Sequence, residues 1–292
     1  MNLYLKSIFL VLFLFSSFTH LALAKETLPI KNFSNYAKNS KSLKVRSLKA
    51  IVFNQNTGEV IYEKNADAKA SIASLTKLMT AMVVLDSGLD LNQIITLTKA
   101  DIDRIKRTTS RLPIGSKLSR YELLKAALIS SDNRAAFALS RSYPGGRKGF
   151  INAMNVKAIQ LSMQKSQFRD PTGLDKRNIS TAKDLLKLAR AAYQYSVIRE
   201  LTTTASENIK ISKKRNSIGF NNTNPLVKKD EWDIGLSKTG FIRESGRCLV
   251  VQTIIDDQPI IIVLLNSYGK LTRFADVKRI RNWMNRINKK KT

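Results

Sequence analysis

Ser74-Leu75-Thr76-Lys77-Leu78-Met79-Thr80-Ala81-Met82-Val83-Val84-Leu85 is the stretch on which the reading of this chain turns. The apolar run after Lys77 suits a buried helix. Ser74 then sits at the helix N-terminal end, where free amides and the dipole favour developing negative charge. Serine and lysine three apart on a helix lie on nearly the same face. A serine hydroxyl is a weak nucleophile until a base takes its proton, and the neutral amine of a desolvated lysine is one such base. The same apolar setting favours the neutral form of Lys77.

Composition narrows the alternatives. The single histidine, His20, lies in a segment with the three parts of a cleavable export signal: Lys6, apolar Ile8 to Phe15, and Ala22-Leu23-Ala24 ahead of Lys25. Residues 1–24 therefore read as a signal peptide whose apolar run is too short to span a bilayer. This predicts a periplasmic protein with no transmembrane anchor after cleavage. The mature chain would have no imidazole, so Cys/His catalysis is excluded and Cys- or His-based zinc sites lack ligands. No metal or cofactor is expected. Cys248 is the only cysteine, so no intrachain disulfide forms, and within Cys248-Leu249-Val250-Val251 it reads as a small buried hydrophobe. A formal net charge of +28 attracts polyanions. Export removes the chain from nucleic acid, which is not an expected partner, and leaves wall polymers and anionic lipids. A solvated lysine-rich surface explains the charge equally well.

A lone Ser-x-x-Lys tetrad proves little, because the chain has four, starting at Ser74, Ser162, Ser180 and Ser267. Context selects among them. Ser131-Asp132-Asn133 follows a helix carrying Leu123, Leu124, Ala127 and Leu128 and opens the next one. Ser-x-Asn recurs at Ser206. Lys238-Thr239-Gly240 is the only Lys-[Ser/Thr]-Gly, placed at the end of a strand read over Trp232 to Ser237; alone, it would be an edge lysine beside a glycine bulge. Only Ser74 is followed in order by both further motifs.

Around these motifs, residues 25–46 read as a loosely ordered polar leader and residues 47–292 as one domain. Leu48 to Phe53 and Glu59 to Glu63 flank a hairpin turn with Gly58. Leu75 to Arg199 is mostly helical in pattern, with a capping box at Ser119 and Glu122 and breaks at Tyr143-Pro144-Gly145-Gly146 and Asp170-Pro171-Thr172-Gly173. Arg247 to Ile255 and Ile260 to Asn266 flank Asp256-Asp257-Gln258-Pro259 as a second hairpin. A last helix carries Leu271, Phe274, Val277, Ile280, Trp283, Met284 and Ile287 on one stripe. Strands at both ends with helices between predict an α+β fold with one sheet built from the two ends of the domain.

The ordered set Ser74-x-x-Lys77, Ser131-x-Asn133 and Lys238-Thr239-Gly240 resembles the penicillin-recognising serine hydrolases, the fold of serine β-lactamases and D-alanyl-D-alanine peptidases. Ser71 to Asp86, Ser131 to Ala136, Tyr143 to Gly146, Phe168 to Leu174 and Ser237 to Val250 resemble the D-alanyl-D-alanine endopeptidases of the penicillin-binding protein seven type. One departure is Ser162, where that pattern leads one to expect glycine. The resemblance implies a β-lactamase/transpeptidase-like antiparallel sheet flanked by helices, with an inserted all-helical subdomain. It implies that Ser74 attacks a D-alanine carbonyl, Lys77 takes the proton and Ser131 relays one to the leaving amine. Asn133, Lys238, Thr239 and Gly240 would bind substrate, and the backbone amides of Ser74 and Phe241 would hold the oxyanion. Peptidoglycan stem peptides would be the substrates and β-lactams covalent inhibitors.

Three rivals are separable. A class A β-lactamase needs a glutamate that directs water, and no glutamate lies between Asn133 and Arg199. A D-alanyl-D-alanine carboxypeptidase would use the same residues and stays as the alternative; many carry a β-rich C-terminal domain, whereas the stretch after Gly240 suits a hairpin and one helix, which favours the endopeptidase. A catalytically silent wall-binding protein has no need for all five of Ser74, Lys77, Ser131, Asn133 and Lys238.

Overall fold

In the central strand of the sheet, Ile261, Val263 and Leu265 pack with one core, while Ile260, Ile262 and Leu264 pack with another. Side chains alternate across a strand, so a continuous apolar run marks a strand covered on both faces. The computed structural model describes Tyr36 and residues 39–211 and 217–289. The signal segment and most of the leader lie outside them.

The sheet comprises β1 (Lys49–Asn54), β2 (Val60–Lys64), β3 (Ile234–Ile242), β4 (Gly246–Ile255) and β5 (Gln258–Ser267). They lie in the order β2-β1-β5-β4-β3, every pair antiparallel. The expected joining of the two ends of the domain is the β1–β5 pairing, Lys49 opposite Leu265 through Asn54 opposite Ile260. Gly58, at φ +73°, turns the β1–β2 hairpin as anticipated. The β4–β5 turn is tighter than the sequence suggested. Asp256 and Asp257 both take positive φ, the geometry of a two-residue hairpin, and Gln258 and Pro259 already belong to β5.

The helices among the described residues are α1 (Thr76–Asp86), α2 (Arg120–Ile129), α3 (Asn133–Arg141), α4 (Gly146–Gln160), α5 (Ala182–Ala192), α6 (Ser196–Thr203) and α7 (Thr272–Lys289). The first six follow β2 and precede β3, with short two-stranded pairs between them. The capping box at the start of α2 is formed: Ser119 Oγ accepts from Glu122 N–H at 3.0 Å, and Glu122 Oε2 accepts from Ser119 N–H at 2.7 Å. Leu78, Met79, Met82 and Val83 of α1 are buried in the larger core with Leu236, Cys248 and Val250 of the sheet.

On the other face, α7 buries Phe274, Val277, Ile280, Trp283 and Met284. Each such side chain contributes about 1.5–3 kcal/mol. Leu271, expected on this stripe, precedes the helix and is 66% exposed. The end of the expected leader is not loose. Leu43 and Val45 are buried in this second core, and Trp283 Nε1 donates to Ser42 Oγ at 2.9 Å. Two apolar residues in a polar stretch suffice when a helix–sheet groove stands ready to cover them.

The departure at Ser162 has a backbone meaning. Its φ is +55°, and it closes α4 in a Schellman arrangement: Met163 N–H reaches Ala158 O at 2.8 Å and Ser162 N–H reaches Ile159 O at 2.8 Å. A serine there bears the left-handed penalty that glycine avoids. Ser162→Gly is expected to raise unfolding stability by about 1 kcal/mol, read from urea midpoints, without altering activity.

Candidate active site

Lys77 is buried at the first turn of α1, and four oxygens surround its Nζ. Ser74 Oγ lies at 3.1 Å, Ser131 Oγ at 3.3 Å, Asn133 Oδ1 at 2.7 Å and Thr172 O at 3.3 Å. An ammonium has three protons to give, and a neutral amine two plus a lone pair. Burial lowers the Lys77 pKa from 10.5 to about 8, opposed by the charges of Asp132, Asp170 and Asp103. No carboxylate forms an ion pair with Lys77 among the described residues. A lysine so placed exchanges its proton near neutrality.

Ser74 stands in a 3-10 turn, Ala73–Leu75, that runs into α1. The preceding Ala73 has φ +46°, a left-handed strain of a kind found at functional sites. Ser131 is likewise at φ +63°, between α2 and α3. Asp132 Oδ1 caps α3 by accepting from Ala135 N–H at 3.0 Å, and its Oδ2 accepts from Ser110 Oγ at 2.7 Å. The expected projection of Ser131 and Asn133 from a tight turn is thus what the backbone does.

Lys238, Thr239 and Gly240 lie inside β3, not beyond its end, because the strand runs on to Ile242. No bulge occurs at Gly240; it pairs with Cys248 in register, and the irregularity is between Gln252 and Thr253. The glycine answers a close approach instead. A Cβ there would lie 3.0 Å from Ile72 O, 3.1 Å from Ala73 Cβ and 3.1 Å from Ser74 N. Gly240→Ala is expected to shift the Ser74 amide by a few tenths of an ångström. We expect acylation by penicillin to slow by at least tenfold, with the urea midpoint nearly unchanged.

Lys238 is 1% exposed, and its Nζ donates to Thr239 O at 3.1 Å. Burial holds its pKa well below the lysine range, with further lowering from the charges of Lys77 and Arg273. Thr239 Oγ1 donates to Thr223 Oγ1 at 2.7 Å. Phe241 is 54% exposed under the guanidinium of Arg247, 4.4 Å from the ring centroid. Ser74, Lys77, Ser131 and Asn133 therefore converge on one nitrogen, and β3 runs beside Ser74.

Several neighbours carried no signal of function in the sequence. The Asp170–Gly173 loop, a helix break within one of the stretches that carry the resemblance, was assigned no site role, yet it supplies Thr172 O to Lys77 and packs Gly173 against Ala73. Arg273 on α7 is 7% exposed, with an Nε that has no hydrogen-bond partner. Its chemistry is invisible locally because α7 reads as a packing stripe. Lys106 pairs with Glu244 at 2.5 Å, joining the loop before Thr108 to the β3–β4 turn.

The chain is similar in sequence and fold to known proteins. A D-alanyl-D-alanine endopeptidase of Pseudomonas aeruginosa is 44% identical over 235 residues, 80% of this chain and 76% of that protein. One of Escherichia coli is 44% identical over 240 residues, 82% of this chain and 77% of that protein. The crystal structure of a Streptomyces DD-transpeptidase superposes with a TM-score of 0.76 at 30% identity, covering 82% of this chain and 97% of that one. The family model described as D-alanyl-D-alanine carboxypeptidase matches residues 35–269, and the chain belongs to that family of serine peptidases.

Proposed function

We propose that the protein is a serine DD-peptidase that hydrolyses D-alanyl cross-links of peptidoglycan, with Ser74 as nucleophile and Lys77 as base. The observation that carries this reading is the desolvated Lys77 amine, 3.1 Å from Ser74 Oγ. Ser74 attacks the carbonyl of the penultimate D-alanine while Lys77 Nζ takes the hydroxyl proton. The oxyanion forms between the backbone N–H groups of Ser74 and Phe241. Ser131 passes a proton from Lys77 to the leaving amine, and Asn133 holds the substrate amide. Water then attacks the acyl-enzyme and frees Ser74.

Lys238, Thr239 and Gly240 line the leaving-group side. Lys238 has no carboxylate partner among the described residues, so an incoming substrate carboxylate supplies its missing counter-charge, with Arg273 adding to the attraction. β-Lactams enter as substrate mimics and acylate Ser74. The nearby carboxylates are already engaged. Asp170 accepts from the N–H groups of Thr172, Gly173 and Asp175, Asp132 from Ala135 and Ser110, and Asp103 from Thr108. No glutamate lies between Asn133 and Arg199 to direct water onto a penicilloyl group as in class A β-lactamases, so the penicilloyl-enzyme outlives the peptidyl one.

Relatives named endopeptidases are 42 to 44% identical, whereas those named carboxypeptidases are at most 33% identical among the matches described. That difference favours cross-link cleavage over trimming of pentapeptides. Export to the periplasm by the segment 1–24, ahead of a leader whose end at Leu43 and Val45 packs into the domain 47–292, completes the reading. Digestion of purified muropeptides tests it: loss of cross-linked dimers is expected. Shortening of pentapeptide monomers with dimers untouched would refute the endopeptidase reading and leave the carboxypeptidase one.

A further inference from the structure

Asn133 meets Lys77 with its amide already oriented. Oδ1 faces Lys77 Nζ at 2.7 Å, and Nδ2 donates to Thr108 Oγ1 at 2.9 Å. The Thr108 hydroxyl has one proton, and that proton is committed elsewhere: Oγ1 donates to Asp103 Oδ2 at 2.7 Å. Only lone pairs then remain toward Asn133, so the amide must present N–H to Thr108 and oxygen to Lys77.

Asp103 anchors the chain. It is 5% exposed and accepts from the N–H groups of Ile105 at 2.7 Å, Lys106 at 3.1 Å and Thr108 at 2.8 Å. Burial raises its pKa, but these hydrogen bonds and that of the Thr108 hydroxyl outweigh it and hold the group below the usual carboxylate range. An ionised carboxylate only accepts, so the polarity of every later link is fixed.

Lys77 alone cannot fix that polarity at the moment it matters. As an ammonium it only donates and so selects Oδ1, but as the neutral amine required of a base it has a lone pair that accepts Nδ2 equally well. A flipped Asn133 would donate Nδ2 to that lone pair and occupy the position that must take the Ser74 proton. We propose that Asp103 and Thr108 are positioning residues of the reaction, holding the Asn133 amide oxygen toward Lys77 while Lys77 is neutral. This rests on the assignment of Ser74 and Lys77 made above.

A purely structural role is the competing explanation, since Asp103 also shapes its own turn. A double-mutant cycle separates the two. Benzylpenicillin acylation rates are measured for wild type, Thr108→Val, Thr108→Ser, Asn133→Ala and Thr108→Val/Asn133→Ala, with a urea midpoint for each. Thr108→Val is expected to slow acylation on the order of thirtyfold, while Thr108→Ser stays within about threefold because the hydroxyl is kept. In the Asn133→Ala background, Thr108→Val should cost nothing further. An unchanged rate in Thr108→Val, or its full loss added to that of Asn133→Ala, overturns the positioning role alone. Should Thr108→Val fail to fold, Asp103→Asn read in the same cycle decides, because its amide can donate to Thr108 and reverse the chain. Absence of acylation in wild type overturns the functional reading itself.

Discussion

Lys77→Met slows acylation of Ser74 by benzylpenicillin by about four orders of magnitude or more, the scale on which loss of one member of a nucleophile–base unit is felt. Methionine matches the lysine stem in length and carries no charge to desolvate, so the fold survives and the loss is chemical. The pH profile of the wild type reports the same group. Burial lowers the Lys77 pKa to about 8, so the base form disappears as pH falls below that value. The acylation rate should rise about tenfold per pH unit up to near pH 8 and then level off. Stability moves with the same sign. The unfolded lysine takes its proton near 10.5 and the folded one only near 8, so stability falls as pH drops across that interval and is constant below it. In Lys77→Met the rate dependence vanishes, and the stability dependence loses the share due to Lys77 and keeps that of the buried Lys238.

Gly173→Ala is expected to be the most damaging small substitution in the domain. A Cβ at Gly173 would lie 1.8 Å from Ala73 O, 2.2 Å from Ala73 C and 2.8 Å from Thr76 Oγ1, and the residue has φ +84°. Overpacking against backbone and a left-handed side chain add to about 3 kcal/mol or more. The loop cannot retreat freely. Thr80 Oγ1 donates to Pro171 O at 2.6 Å, and Asn178 Nδ2 to Asp170 O at 2.8 Å and Thr76 Oγ1 at 3.0 Å. Any relaxation therefore passes into the Ala73–Ser74 turn. The urea midpoint should drop, and the folded fraction should acylate at least a hundredfold more slowly. Gly240→Ala, whose nearest neighbours are at 3.0 Å and beyond, should lose activity with little loss of stability. The contrast between the two glycines checks the assigned geometry around Ser74.

What could be read from the sequence was whatever repeats with the period of an element or is confined to a few neighbouring residues. Arg247 to Ile255 and Ile260 to Asn266 announce a hairpin, Ser119 and Glu122 a helix start, and the apolar run behind Lys77 a buried helix. The three motifs converge because each sits at the end or edge of an element whose type was legible: Ser74 before α1, Asn133 opening α3, Lys238 in β3. What escaped depended on approach between distant segments. Gly240 taken alone suggested a bulge, and its close approach to Ser74 cannot be seen along the chain. Thr108 reaches Asn133, and Arg273 acts on Lys238, across spans with no periodicity to mark them. Leu43 and Val45 looked solvated until α7 and the sheet supplied a groove for them.

The central claim is that Ser74, activated by Lys77, is the acylated residue. Incubation with excess benzylpenicillin, followed by intact-mass measurement and peptide mapping, tests it most directly. One penicilloyl group per chain is predicted, on the peptide Ala70 to Lys77 and absent from Ser74→Ala. No adduct on the wild type, or an adduct that maps elsewhere or persists in Ser74→Ala, would contradict it.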